Sequence, residues 1–212
     1  VGALVGAALP AGTPWFVALP LVLSSAAAAG AAWASVPAWL RARYGAHEVI
    51  ASIMMNRIAA SLVAWAMARG AALPGSVRTR DVVPGARLPR IDTLFPVFAG
   101  SAASFAIVLA LILAVVVAVV FRRTVVGVET TQVGLNPDAC RAAGIDVRSR
   151  MTVAFVASGA LAGLAASATV FGYKGYYEEG LGGGAGFLGL AVALLARQRV
   201  SGFVFAALLF GT

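Results

Sequence analysis

Two long stretches of this sequence contain no charged side chain. Residues 1–40 and residues 93–121 both lack Asp, Glu, Lys, Arg and His. About 20 apolar residues are enough to cross the hydrocarbon core of a bilayer, so both stretches are long enough to span it. The chain is 61% hydrophobic and 11% charged, whereas about 25% of residues are charged in an average soluble domain. The sequence therefore predicts an integral membrane protein.

The formal net charge of +8 does not indicate nucleic-acid binding. The basic residues lie mostly in short loops between apolar stretches, the pattern that sets the orientation of membrane proteins. One cysteine, Cys140, and one histidine, His47, exclude a disulfide framework and argue against a metal cluster built by this chain. No G-x-x-x-x-G-K-[ST] pattern is present, so the chain offers no phosphate loop for ATP. A membrane enzyme is also disfavoured, because it needs clustered catalytic groups.

Apolar segments alternate with short polar segments along the whole chain. This pattern predicts an all-α, polytopic transmembrane helical bundle with about five to six spans. Proline and glycine mark the breaks between segments, and residues 69–96 contain too many prolines for a helix of any length. The predicted spans are the end of one before Pro10, one from about Trp15, and further ones at residues 48–68, 101–121 and 151–172, with another beginning at residue 200. Residues 188–196 are apolar but short.

Loop charge gives a weak indication of orientation. If residues 122–150 are cytoplasmic, alternation of the spans places Arg41, Arg43, Arg197 and Arg199 on the same side. That side would hold nine basic residues and the other side six. The bias has the expected direction, with more positive charge inside, but the charges alone leave the topology open.

A small-residue spacing predicts a close helix–helix contact. Gly159 and Gly163 form a G-x-x-x-G pair within residues 158–168, which consist only of small residues and leucine. In lipid, small residues let helix backbones approach closely and pack. The pair therefore predicts packing and indicates little about substrate.

Residues 136–144 read as a short helix with both ends marked. Asn136 can cap the N-terminus, Pro137 suits the first helical position, and Asp138 complements the positive end of the helix dipole. Gly144 suits the left-handed position after the C-terminus, and Asp146 can cap the next helix. So short a helix is unstable alone in water, so it must dock either on its own membrane domain or on a partner. A simple surface connector is the alternative.

Five stretches, in the right order, resemble one family. Residues 133–145 (VGLNPDACRAAGI) are similar to the cytoplasmic loop of permease subunits of nucleoside and simple-sugar ABC importers, in the binding-protein-dependent transport system inner membrane component family. Ribose and branched-chain amino-acid permeases share this family. The other matching stretches are residues 45–56 (GAHEVIASIMMN), 158–163 (SGALAG), 186–195 (GFLGLAVALL) and 208–211 (LLFG).

The resemblance implies a single permease domain over residues 1–212, truncated at both ends. It implies that residues 122–150 are a cytoplasmic loop whose short helix is a coupling helix seated on a separate ATPase subunit. It also implies a second permease subunit, an extracytoplasmic substrate-binding protein, a bacterial inner membrane, and ATP bound only by the partner. The implied coupling residues are Asn136, Pro137, Asp138, Ala139, Arg141, Ala142, Gly144 and Ile145.

Glu48, Asn56, Arg57, Gly186 and Phe187 are the candidates for the translocation pathway. Arg57 departs from the family pattern, which has an aromatic or apolar residue there. It allows two interpretations, a pathway group that donates to a hydroxylated substrate or a structural pair with a carboxylate on a neighbouring helix. Glu48 also suits a helix start near the interface.

Three smaller departures from the family pattern concern Cys140, Ala196 and Val200, which stand where Ala, Gly and Pro are common. Nucleoside is favoured over sugar because residues 45–56 resemble that branch more closely. A branched-chain amino-acid permease is a nearby alternative. An ion-coupled secondary transporter, the alternative from another class, would require carboxylates within the spans, and only Glu48, at the edge of a span, is available.

Overall fold

Helices form nearly all of the regular structure in this protein. The computed structural model describes residues 1–10, 12–73, 76–89, 104–178, 180–182, 184–196 and 200–210. Within these ranges the predicted all-α bundle is confirmed; extended residues form isolated bridges, among them Ala72–Thr79 and Arg78–Glu178. The helices are α1 (Gly2–Ala8), α2 (Trp15–Tyr44), α3 (Glu48–Ala66), α4 (Ala106–Arg123), α5 (Val125–Leu135), α6 (Pro137–Ala142), α7 (Val147–Thr169), α8 (Ala185–Leu195) and α9 (Val200–Phe210).

Four helical segments are long and apolar enough to cross a membrane. They are Trp15–Tyr44, Glu48–Ala71, Ala106–Arg123 and Val147–Lys174, and each matches a span predicted from hydropathy. Two of them end in a π-helical turn, Met67–Ala71 after α3 and Val170–Lys174 after α7. The apolar helices α8 and α9 have 11 residues each, which is shorter than the roughly 20 residues that a span requires.

The longest helix, α2, begins where the sequence predicts but ends later, because Arg41 and Arg43, predicted to lie in a loop, continue the helix to Tyr44. Pro14 is its N-cap, and Gly45 follows its last residue with φ of 67°, the left-handed conformation that glycine adopts without strain. Pro20 and Pro37 lie inside the helix. Prolines are tolerated in membrane helices because neighbouring groups satisfy the freed carbonyls. The predicted break between α1 and α2 is therefore confirmed.

α2 and α7 pack closely through glycine and alanine. A Cβ atom built on Gly159 would collide with Ala34 Cβ and with the carbonyl oxygen of Gly30, and one built on Gly163 would collide with the carbonyl oxygen of Ala26. The two backbones are thus in contact, and the predicted packing role of the G-x-x-x-G pair is confirmed. Because contacts run from Ala26 to Ala34 on α2 and from Gly163 to Gly159 on α7, the two helices are antiparallel.

The antiparallel pairing fixes which loops share one end of the bundle. Following α2 beyond Ala34 leads to Arg41 and Arg43, and following α7 back from Gly159 leads to Val147 and the residues before it. Arg41 and Arg43 therefore lie at the same end as residues 122–150, as alternation predicts. We call this the loop end. Arg197 and Arg199 lie outside the described residues.

The opposite end is closed by a polypeptide segment that runs along the end of α7. Backbone N–H groups of Thr79, Val82 and Leu88 donate to carbonyl oxygens of residues 177, 175 and 171, each at 2.8 Å. A buried apolar cluster lies beneath these hydrogen bonds. Within residues 76–89 the only helical element is one 3-10 turn, Pro84–Ala86. The prediction that this region holds no long helix is confirmed there. The cluster comprises Ala3, Ala18, Val22, Val82, Ala86, Leu88, Val170 and Phe171.

The glycine-rich stretch after α7 bends the backbone. Gly175, Gly180 and Gly184 have φ values of 77°, 83° and 83°, in the left-handed region that other residues rarely adopt. A Cβ atom on Gly180, Gly182, Gly184 or Gly186 would meet no atom within 4 Å. The described glycines of this stretch therefore bend the backbone at positions 180 and 184 without packing closely on a neighbour.

Candidate functional site

The site is assembled on α5, a helix of 11 residues that the sequence did not predict. Thr124 caps it, accepting a hydrogen bond at 3.2 Å from the N–H of Gly127. The turn from α4 is tight, because a Cβ atom on Gly127 would collide with the carbonyl oxygen of Val120. Glycine, valine and threonine have low helix propensity, so the residues of α5 gave no helical signal. Thr124 at the N-cap was the one signal that could have indicated it.

The N-terminus of α6 has the predicted cap. Asn136 Oδ1 accepts hydrogen bonds from the N–H groups of Asp138 and Ala139, both at 3.1 Å. Pro137 occupies the first helical position, where a missing N–H costs nothing. Asp138 and Arg141 form an ion pair on the exposed surface. Two otherwise unsatisfied backbone donors are therefore held by one side chain, and the charges of α6 compensate each other.

The C-terminus of α6 ends in a Schellman motif. Ile145 N–H donates to the carbonyl oxygen of Cys140 at 2.9 Å, and Gly144 N–H donates to that of Arg141 at 3.1 Å. Gly144 has φ of 80°, as the left-handed position of this motif requires. Asp146 then caps α7, accepting from Ser149 N–H at 3.2 Å. Both predicted ends of the short helix are confirmed.

One side chain of α6 anchors it to the rest of the chain. Cys140 is only 5% exposed and packs with Val133 of α5 and Val147 of α7, with Ile145 and Met151 at the edge of the cluster. The other residues of α6 are exposed. Docking on its own chain is therefore confirmed, and Cys140, the departure from the family's alanine, supplies the buried contact. The outer face remains accessible.

A second contact joins α5 to α7. Glu129 Oε2 and Arg150 Nε lie 2.5 Å apart, and the two side chains are only 25% and 26% exposed. Because this pair links the helices on either side of α6, it stabilises the α5–α7 contact against which Cys140 packs. It was not predicted from the sequence, since the two residues are 21 positions apart and neither lies in a motif.

Neutralising Glu129 is expected to weaken the contact between α5 and α7. A double-mutant cycle with Glu129→Gln and Arg150→Gln should give a coupling free energy near 1 kcal/mol, at the upper end for ion pairs in contact with water. The measurement is denaturant unfolding of the protein in detergent. The matched cycle with Asp138→Asn and Arg141→Gln, on the exposed pair, should give about 0.3 kcal/mol. Equal coupling in the two cycles would contradict the role given to Glu129.

The exposed surface around α6 is small and nearly neutral. Leu135, just before α6, is 75% exposed, and the surface continues over the predicted coupling residues except Ile145, which is half-buried. Among the described residues, no group of three or more His, Cys, Asp or Glu is placed to hold a metal. Short side chains surround the Asp138–Arg141 ion pair, and a surface of this kind can fit a cleft in another protein. We call this the α6 surface: Leu135, Asn136, Pro137, Asp138, Ala139, Arg141, Ala142 and Gly144.

The five pathway candidates are not brought together. Glu48 begins α3 and pairs with Arg41 at 3.1 Å, so the structure places it at a helix start. Asn56 and Arg57 are exposed farther along α3, and Gly186 and Phe187 are exposed at the start of α8. One open cavity of about 600 Å³ lies near the opposite end, between the segment around Arg78 and the loop around Tyr176, and none of the five lines it.

The comparisons with known proteins agree with the motifs. All 212 residues match the family model described as branched-chain amino acid transport system / permease component. The chain is 36% identical over 199 residues to the guanosine ABC transporter permease protein NupP of Bacillus subtilis, covering 93% of this chain and 57% of that protein. It is 33% identical over 230 residues to the glucose ABC transporter permease protein TsgB13 of Haloferax volcanii, covering 100% and 59%.

A third relative is the nucleoside ABC transporter permease protein NupB of Lactococcus lactis, 31% identical over 202 residues, which covers 93% of this chain and 56% of that protein. The chain thus spans less than two thirds of the length of each of these relatives. No solved structure matches it significantly. On the family match over its whole length, the chain belongs to the permease components of the branched-chain amino acid transport system family.

Proposed function

We propose that this chain is part of the membrane-spanning permease subunit of an ATP-driven importer in the bacterial inner membrane. The observation that carries the proposal is the α6 surface, carried by a short helix that is capped at both ends and whose buried side chain is Cys140. It lies at the same end as Arg41 and Arg43, the side that the bias of positive charge favours as cytoplasmic. An exposed helix between α5 and the candidate span that contains α7 is suited to transmit movement from a partner into both helices.

The partner at the α6 surface is a cytoplasmic ATPase subunit. Because the α6 surface has no net charge and mostly short side chains, we expect the partner to bind it through a cleft of complementary shape and not through opposite charge. ATP is bound and hydrolysed on that subunit, and no cofactor is held by this chain. A second permease subunit completes the pathway, and an extracytoplasmic binding protein delivers the substrate at the opposite end. ATP hydrolysis then shifts the population between inward-open and outward-open states.

The substrate we propose is a nucleoside or a simple sugar. The names of the three relatives specify guanosine, glucose and nucleosides, and residues 45–56 resemble the nucleoside branch. Uptake of labelled guanosine, glucose and leucine, each measured separately in cells that overproduce the transporter, tests this. Uptake of guanosine or glucose supports the proposal, whereas uptake of leucine alone would assign the chain to amino-acid import.

Crosslinking at the α6 surface tests the partner. With Cys140 replaced by alanine, a cysteine at Asp138 or Ala142 of the intact transporter is expected to crosslink to the co-expressed ATPase, with a yield that changes when ATP is added. The matched control is Val77→Cys, which is exposed at the opposite end. It should give no ATPase crosslink and should react with impermeant reagents from outside. Labelling of residue 142 from outside would invert the topology and remove the proposal.

A further inference from the structure

Charged residues mark both ends of the span that contains α3. Glu48 pairs with Arg41 at one end, and at the other Arg69 lies over the Trp65 ring at 5.3 Å. At a rise of about 1.5 Å per residue, Glu48 and Arg69 are about 31 Å apart along the axis. This length matches the roughly 30 Å hydrocarbon core of a bilayer. The two residues therefore mark the two membrane boundaries.

Arg57 lies close to the midplane of that span. It follows Glu48 by nine residues, which corresponds to about 13 Å at the helical rise. That distance is longer than an extended arginine side chain, so snorkelling cannot bring the whole guanidinium to the interface. An arginine at the centre of a span costs about 2.5–3.5 kcal/mol on insertion scales. Arg57 must therefore face protein or water.

The burial pattern divides α3 into three faces. The packing face, toward the rest of the chain, consists of half-buried residues at intervals of three to four positions. A second face carries the bulky apolar side chains Met54, Ile58 and Trp65, all exposed, and suits contact with lipid. Arg57 lies opposite the packing face, on a third face. The packing face comprises Glu48, Ala51, Met55 and Ala59.

From Asn56 onward the face that carries Arg57 combines polar and small side chains, whereas Val49, Ile50 and Ile53 make it apolar toward Glu48. Asn56 lies beside it, and Ala60 and Ala64 continue the face toward Arg69, while Ile53 lies one turn toward Glu48; all of them are exposed. None of the described residues pairs with the guanidinium, and the one carboxylate of the span, Glu48, is held by Arg41. The small side chains leave space beside the guanidinium that a polar solute can enter. We call this the Arg57 face: Ile53, Asn56, Arg57, Ala60 and Ala64.

We propose that the Arg57 face lines the water-filled translocation pathway and that Arg57 donates hydrogen bonds to the oxygens of a neutral, hydroxylated substrate. The proposal deepens the proposed function and rests on it. Guanidinium offers five donors in a fixed fork, which suits ribose or hexose hydroxyls and purine carbonyl oxygens. An apolar solute that displaces water from the guanidinium leaves these donors unpaired, which disfavours its binding. Arg57 therefore determines specificity for hydroxylated over apolar solutes.

Cysteine accessibility in the intact transporter tests the face. With Cys140 replaced by alanine, Arg57→Cys and Ala60→Cys are each expected to react with a membrane-impermeant charged methanethiosulfonate at least about 10-fold faster than Ile58→Cys, because only thiols in water ionise and react readily. Excess guanosine or glucose should slow both reactions. The Ala60 variant retains Arg57, so it tests the face even if the Arg57 variant does not assemble.

Transport kinetics test the role of the guanidinium. Arg57→Gln is expected to raise the substrate concentration for half-maximal uptake about 10-fold or more, the loss expected for a charged hydrogen bond, with the same amount of protein in the membrane. Reactivity as slow as that of Ile58→Cys would overturn the proposal and indicate a carboxylate on another helix. Reaction without protection by either solute would also overturn it. The crosslink at residue 142 reports the proposed function separately, because it depends on the ATPase and not on Arg57.

Discussion

Replacing Gly159 with leucine is expected to prevent stable assembly of this membrane domain. The atoms that a side chain would meet are the carbonyl oxygen of Gly30 and Ala34 Cβ, and a helix backbone cannot move aside as a flexible side chain can. To relieve the collision, α2 and α7 would have to separate along their contact. Overpacking typically costs about 1–3 kcal/mol, and a collision with backbone lies at or above the upper end.

The same substitution at Gly189 provides the matched control. Gly189 lies in the apolar helix α8, and a Cβ atom there would meet no atom within 4 Å. Gly189→Leu should therefore leave the yield and the melting temperature of the purified protein nearly unchanged. Gly159→Leu should lower the melting temperature by several degrees or leave no monodisperse protein. Similar behaviour of the two variants would show that the α2–α7 contact does not determine stability.

The spans were predictable because hydropathy reports the solvent of each segment directly. In lipid every backbone polar group must be paired internally, so an apolar stretch of sufficient length is almost obliged to be helical. The break at Pro14 was predictable for a local reason, since proline fixes the backbone whatever surrounds it. The end of α2 was predicted too early, because Arg41 and Arg43 read as a loop between apolar stretches. The α2–α7 contact was half predictable: the glycine pair of α7 indicated an interface, but nothing in it identified Gly30 as the partner.

The elements that the sequence did not predict depend on tertiary contacts. α5 is composed of residues with low helix propensity, and it is supported by the Val133–Cys140 contact and the Glu129–Arg150 pair. The segment around Thr79 reads as a plain loop. It follows the end of α7 through backbone hydrogen bonds, which carry no side-chain pattern. Such contacts are decided between distant parts of the chain, where periodicity gives no signal.

The two halves of the candidate site differ in predictability for the same reason. The α6 surface was predictable because its caps, from Asn136 to Gly144, are local hydrogen-bond motifs contained in nine residues. The pathway candidates were chosen from motif matches and chemistry, which cannot say which faces of α3 and α8 meet. Only the burial pattern separated Arg57 from the packing face and from Ile58. The role of Arg57 therefore stays a prediction, as does contact of the α6 surface with an ATPase.

Gly144→Val is expected to reduce transport strongly, whereas Gly144→Asn is expected to reduce it little. With φ of 80°, this position is strained for a β-branched residue, whereas asparagine is several-fold enriched in the left-handed region. Gly144→Val should cost about 1–2 kcal/mol, because either the valine stays strained or the Schellman bonds from Ile145 and Gly144 are lost. α6 has only six residues and no stability of its own. We therefore expect the equilibrium constant for docking of α6 to fall about 10-fold, and substrate uptake to fall as the undocked population grows.

The Gly144→Asn variant separates backbone strain from the mere presence of a side chain. It should keep most of the uptake at equal protein in the membrane, and a cysteine at Asp138 should still crosslink to the ATPase in a nucleotide-sensitive way. The Gly144→Val variant should assemble with an unchanged melting temperature, because α2 and α7 are untouched, yet lose most of the crosslink. Equal loss in both variants would mean that any side chain at position 144 blocks the partner. Coupling would then depend on close approach at Gly144 more than on the shape of α6.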